Sequence, residues 1–140
     1  MAAGRGNRVP VAARQFFVDL TARLVAHAAW QFKLAHPLPE GGTLGDAFRQ
    51  YQRARGVRHP LDTGGEPLPS VAAYVLEWFW EIAAGRPIGP SGPLPVPSME
   101  IAAWAALRGI QLRGWEVRAL RLLDAKWLEV SREASRSRGG

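Results

Sequence analysis

The run RPIGPSGPLPVP at positions 86–97 holds five prolines and two glycines, and it constrains the fold more than any other feature of the chain. Proline has no amide hydrogen to donate and its ring clashes with the preceding turn, so no helix passes through this run. It reads as a hinge or an extended connector crossing the surface, without a convincing strand. A second break, Val57 to Pro69, carries three prolines and an adjacent pair of glycines and reads as a loop.

Everything between these breaks has helical spacing. A first segment spans 11–35. Gln15, Asp19, Arg23 and His27 recur every four residues as a polar stripe, with Asp19 and Arg23 set for an ion pair. Phe17, Leu20, Leu24 and Ala28 form an apolar line, and Phe16, Val18, Val25, Trp30 and Phe32 widen it. A helix apolar over so much of its girth is buried on several sides or meets a partner. Pro37 stops it. A second segment, 44–55, has Thr43 as its cap, Asp46 in its first turn and Gly56 at its end.

A third segment, 71–84, follows Ser70 as N-cap and repeats Val71, Val75, Trp78 and Ile82 along a packed seam. Glu77 and Glu81 mark its wet stripe. A fourth, 99–108, follows Ser98, with Ile101, Trp104, Ala105 and Leu107 on its apolar side. A fifth, 114–135, repeats Leu120, Leu123, Trp127 and Val130, and carries Arg118, Arg121 and Lys126 on its other face. Only about five residues join the last two, which predicts an antiparallel pair.

The expected fold is therefore all-α: one small domain of about five helices over 11–130, with a Pro/Gly-rich connector before a C-terminal antiparallel helix pair. Residues 1–10, basic and Gly-rich, and residues 131–140, without apolar periodicity, are expected to be flexible.

Composition removes several functions. There is no cysteine, so disulfide scaffolds, thiolate metal sites and cysteine nucleophiles are excluded. His27, His36 and His59 lie in separate segments and none falls in a His-x-x-x-His or Glu-x-x-His spacing, so no metal site is expected. Glu77 and Glu81 read as a solvated pair. Asp124 is the one acid inside the apolar register of the fifth segment, which suits a structural role: accepting hydrogen bonds from a helix end, or pairing with Arg121 or another arginine. The glycine pairs lack the spacing of a phosphate loop. The chain reads as no enzyme, with no cofactor and no small-molecule substrate. The most apolar run, 71–84, is too short to span a membrane.

Net charge is +6, and 16 of the 18 basic residues are arginine. They are scattered, with one local cluster of Arg49, Arg53, Arg55, Arg58 and His59 around Phe48 and Tyr51. Such a cluster can hold phosphate, but its aromatics have helical spacing and no reader motif accompanies it. Nucleic-acid binding is kept only as an alternative. The six tryptophans point elsewhere. A domain this small has limited interior, so some indoles are expected at the surface, where tryptophan is enriched at protein–protein contacts.

The stretches WFWEIAAGRP (78–87) and PLPVPSMEIAAWAALRGIQLRGWEVRALRLLDAKWL (93–128) resemble the small tail assembly chaperones of long-tailed bacteriophages. The resemblance covers about 71–130. It rests on Trp78, Phe79, Arg86, Glu100, Ile101, Trp104, Leu107, Gly109, Leu112, Trp115, Glu116, Leu123, Asp124, Trp127 and Leu128. Relatives often carry Ser-Pro ahead of Trp-Glu, where this chain has Arg113-Gly114, which weakens the expected cap.

The resemblance implies a siphovirus protein that binds the tape-measure and tail-tube proteins during tail assembly, in the cytoplasm of the infected host, and leaves before the virion matures. Trp78, Phe79, Trp80, Trp104, Trp115 and Trp127 are the candidate partner-binding residues. Arg86, Glu116 and Asp124 are the candidate structural ones. A tail or connector component kept in the virion is the alternative within the same biology, and self-association is left open.

Overall fold

The computed structural model describes residues 10–139, with side chains through Ser137; all but Pro10 of the expected basic N-terminal segment lies outside them. Five α-helices run in order: α1 (Val11–Ala35), α2 (Leu44–Arg55), α3 (Ala73–Ala83), α4 (Ser98–Arg108) and α5 (Gly114–Gly139). Two short strands, β1 (Ile88–Gly89) and β2 (Gly92–Pro93), pair antiparallel between α3 and α4, with Ile88 opposite Pro93 and Gly89 opposite Gly92.

The first two helices stop and start where local chemistry dictates. His36, ahead of Pro37, turns to extended geometry and ends α1. Thr43 accepts from the Asp46 amide at 3.1 Å while the Asp46 carboxylate takes the Thr43 amide at 3.0 Å, a complete capping box. Gly56 closes α2 in the left-handed conformation.

Other expectations are corrected. The fold is mainly helical but not purely so. The Pro/Gly run is no featureless connector: its two-residue turn at Pro90-Ser91 folds it into the β1–β2 hairpin. Ser70 does not cap α3. It opens a 3-10 turn, Ser70–Ala72, that precedes the helix. Ser98 does not cap α4 either, since its hydroxyl takes a hydrogen bond from Arg121. Asp19 accepts from Gln15 at 2.9 Å and makes no ion pair with Arg23. Finally, α5 continues past the expected end at Ser135.

The largest difference is in helix pairing. α5 packs on α1 and α3, whereas α4 packs on α3, so α4 and α5 do not form the expected pair. Gly85 lies against Glu100, and Glu81 against Trp104 and Arg108, so α3 and α4 run antiparallel. α3 carries the denser apolar surface and takes both neighbours. α1 and α5 run parallel: Phe17 stacks on Trp115 at their N-terminal ends, and Lys33 and Val130 border one cleft near their C-terminal ends.

The core sits where α1, α3 and α5 meet, around Leu24, Val75, Phe79, Leu120 and Leu123, all fully buried. Each such side chain contributes about 1.5–3 kcal/mol by leaving water. α4 adds only Ile101 and Ala105 to the buried set. Val71 and Leu107, expected on inner seams, face solvent instead.

Candidate protein-binding site

Surface availability is decided by how the aromatic residues are placed. Phe79 is only 1% exposed and tilts against Phe32 at 5.4 Å. It is therefore a core residue, a correction to its expected place among the partner-binding side chains, because the inner face of α3 is wider than its four-residue seam implies. Trp80, on the other flank of α3, is 42% exposed and stands edge-on to Phe32 at 5.3 Å. Trp78, Trp104, Trp115 and Trp127 are each half-buried.

Three of these indoles belong to one chain of rings that crosses four helices. Trp104 of α4 meets Trp78 of α3 at 5.6 Å, and Trp78 meets Tyr74 at 4.8 Å. Tyr74 meets Trp115 of α5 at 6.3 Å, and Trp115 stacks on Phe17 of α1 at 4.9 Å. Exposed Phe16 ends the series, 5.3 Å from Phe17. Each contact is worth roughly 0.5–1.5 kcal/mol beyond burial. The rings thus hold the helices together with one edge while showing another edge to solvent.

Two polar constellations fix this arrangement. Arg86, just beyond α3, forms an ion pair with Asp124 of α5, and their side chains are 5% and 10% exposed. The second Asp124 oxygen accepts from the Val96 amide at 2.9 Å, and Arg86 also donates to the Leu94 carbonyl at 2.9 Å. The Arg86 guanidinium lies 4.1 Å from the Trp127 ring centre. Asp124 therefore pairs with Arg86, not Arg121, and the chain leaving β2 is tied down at Leu94 and Val96.

Glu116 forms the other constellation. Its carboxylate accepts from the Arg113 amide at 2.7 Å and from the Tyr74 hydroxyl at 2.6 Å. Half of a capping box thus survives at the start of α5 although Arg113 offers no acceptor side chain, and Tyr74 supplies the second contact. Burial and the bond to Glu116 push the Tyr74 hydroxyl well above the ordinary tyrosine range.

Glu81 is less solvated than expected. It pairs with Arg108 and takes the Trp104 indole hydrogen at 3.3 Å, and these partners hold its carboxyl below the usual range. Two histidines make contacts within the fold: His59 packs between Phe48 and Tyr51, and His27 Nδ1 lies 2.7 Å from the Glu66 carbonyl oxygen. His36 lies in the cleft near the ends of α1 and α5. The basic cluster of α2 and the loop after it is partly engaged, with Arg49 on Asp46, Arg58 at 4.0 Å from Asp62, and Arg55 over Tyr51. Among the described residues, no group of three or more histidines and carboxylates is gathered as for a metal, and no helix is long and apolar enough to cross a membrane.

The residues missed in sequence lie on the outside of α4. Met99 is 83% and Leu107 89% exposed, and Ala102, Ala103 and Ala106 are exposed between them. This helix turns Ile101, Trp104 and Ala105 inward and a mainly apolar face outward, with exposed Glu100 at its margin. The signal was there, since SMEIAAWAALR is apolar nearly all round, which in a surface helix indicates a second covering.

The sequence model of the phage tail assembly chaperone family matches residues 51–129. The match starts ahead of the 71–130 stretch that carries the resemblance, and it takes in the end of α2, the loop, the hairpin, α3, α4 and most of α5. No curated protein and no solved structure matches the chain.

Proposed function

Because this chain belongs to the phage tail assembly chaperone family, matched over more than half its length, we propose that it binds the tape-measure and tail-tube proteins during virion morphogenesis. It acts in the cytoplasm of the infected bacterium and departs before the particle is complete. The family match carries this reading. The apolar outer face of α4 supports it, because the face lies within the matched region and has the form that takes a partner helix in ridges-into-grooves packing. Trp104 at the inner edge of α4, Trp78 beside it on α3, and Trp80, Trp115 and Trp127 elsewhere on the surface supply the aromatic anchors that dominate such contacts.

A tape-measure protein is a long helical chain, and a chaperone covers the apolar stripe of such a chain until tube subunits replace it. Co-expression of the tagged chain with each tail protein of its phage, followed by capture, tests this. Capture of the tape-measure or tail-tube protein, with the chain absent from purified virions, is the expected result. Its presence in stoichiometric amount in finished particles would overturn the chaperone role in favour of a structural one.

A further inference from the structure

We infer that the groove between the N-terminal ends of α1 and α5 is a second docking site, and that its occupant is an acidic amphipathic helix. The groove has a volume of about 630 Å³ and is walled by Phe17, Val18, Thr21 and Trp115, with Arg14, Arg113 and Arg118 at its margin. Val11, exposed and on the same helix line as Arg14 and Val18, continues this face towards the start of α1.

Charge decides the occupant. Among the described residues no ion pair joins Arg14, Arg113 or Arg118 to a carboxylate. The carboxylates nearby are already engaged: Glu116 is buried under Tyr74 and the Arg113 amide, and Asp19 takes the Gln15 amide. The parallel course of α1 and α5 brings their N-terminal ends to the same place; Glu116 offsets the positive end of α5, whereas α1 has no acidic residue in its first turn. A rim of three arginines outside any ion pair, around an apolar floor, matches a partner with an apolar stripe flanked by Asp or Glu. The groove lies between two helices with no strand edge beside it, so the partner adds as a helix and not as a strand.

This site is separate from the outer face of α4 and does not require that face to bind anything. The probe is a fluorescein-labelled designed peptide of about 20 residues, five to six helical turns. It carries Leu at i, i+3, i+4 and i+7 with Glu on both flanks; its twin replaces every Glu by Lys. Anisotropy titrations with the full chain are expected to show binding of the Glu peptide and none of the Lys twin. The variant Arg14→Glu/Arg118→Glu changes only exposed side chains and is expected to weaken binding about tenfold or more. Arg53→Glu/Arg132→Glu, two exposed sites away from the groove, makes the same change in net charge and leaves binding unchanged.

Equal affinity for both peptides, no binding of the Glu peptide, or an unaltered affinity in the double variant would overturn the assignment. So would a DNA duplex that displaces the peptide and loses its own binding in the same variant. Capture of tape-measure protein by the double variant at wild-type yield would leave the chaperone reading standing whatever the fate of the groove.

Discussion

Arg86 and Asp124 stand 38 residues apart in sequence and meet as a buried ion pair that joins the end of α3 to the middle of α5. Removing one partner leaves the other charged and buried, which costs far more than the intact pair contributes. Asp124→Ala also strands the Val96 amide. Urea unfolding is expected to show a loss of about 3–5 kcal/mol for Asp124→Ala and a similar loss for Arg86→Ala. The double variant is expected to be less impaired than the sum of the two, because neither charge is then orphaned. Additive losses would show that the two groups do not act as a pair.

The Tyr74–Glu116 bond sets a pH dependence on the alkaline side. Tyr74 holds its proton in the fold well above the ordinary tyrosine value, so the unfolded chain releases that proton first as pH rises. The bond's contribution is complete below about pH 10, the unfolded value, and declines above it. Melting temperature is expected to fall between pH 10 and pH 11 more steeply in the natural chain than in Tyr74→Phe. At pH 7 that variant is expected to be about 1.5–3 kcal/mol less stable, the worth of a hydrogen bond to a charged group. Parallel pH curves for the two proteins would show that Tyr74 does not titrate in this way.

How much of this was legible in the sequence follows from the range of each interaction. α1 and α2 were readable to the residue, since Pro37, the Thr43–Asp46 box and Gly56 act over four residues or fewer. The family resemblance was readable because its positions are fixed in one short stretch. The partner of Asp124 was not, since periodicity marks an acid in an apolar register but does not say which of many arginines folds back to it. The α3–α4 pairing was hidden for a related reason: connector length favours α4 with α5, and only the greater apolar surface of α3 reverses that choice. Phe79 and Leu107 were misplaced because short helices with apolar residues on every side do not reveal which side turns inward.

Gly65 and Gly56 both have left-handed backbone, with φ of +66° and +74°, but differ in what surrounds them. A Cβ at Gly65 would lie 2.5 Å from Cγ of Trp30, whereas one at Gly56 meets open space. Gly56→Ala is expected to cost about 1 kcal/mol, the conformational penalty alone. Gly65→Ala must also displace the Trp30 ring, which stacks near Phe48 at 6.3 Å. Its cost is expected to be about 1–3 kcal/mol larger, with the Trp30 side-chain resonance shifted in the spectrum of the folded protein. Equal costs at the two glycines would show that the loop carrying Gly65 does not rest on Trp30.

The outer face of α4, proposed above as a docking surface, allows binding to be tested apart from folding. Met99 and Leu107 touch almost nothing within the chain, so replacing both removes little buried area. Met99→Glu/Leu107→Glu is therefore expected to leave stability within about 0.5 kcal/mol of the natural chain. Two carboxylates on that face would have to be desolvated against an apolar partner stripe, at a cost that ordinary van der Waals contact does not offset. Capture of tape-measure protein is then expected to fall about a hundredfold or more, equivalent to roughly 2.7 kcal/mol, while far-ultraviolet circular dichroism is unchanged. Inner-face Ile101→Glu gives the contrasting pattern, with the fold lost together with binding. If the doubly charged α4 still captures its partner at full yield, the contact lies elsewhere, and the half-exposed indoles Trp80 and Trp127 become the surfaces to substitute next.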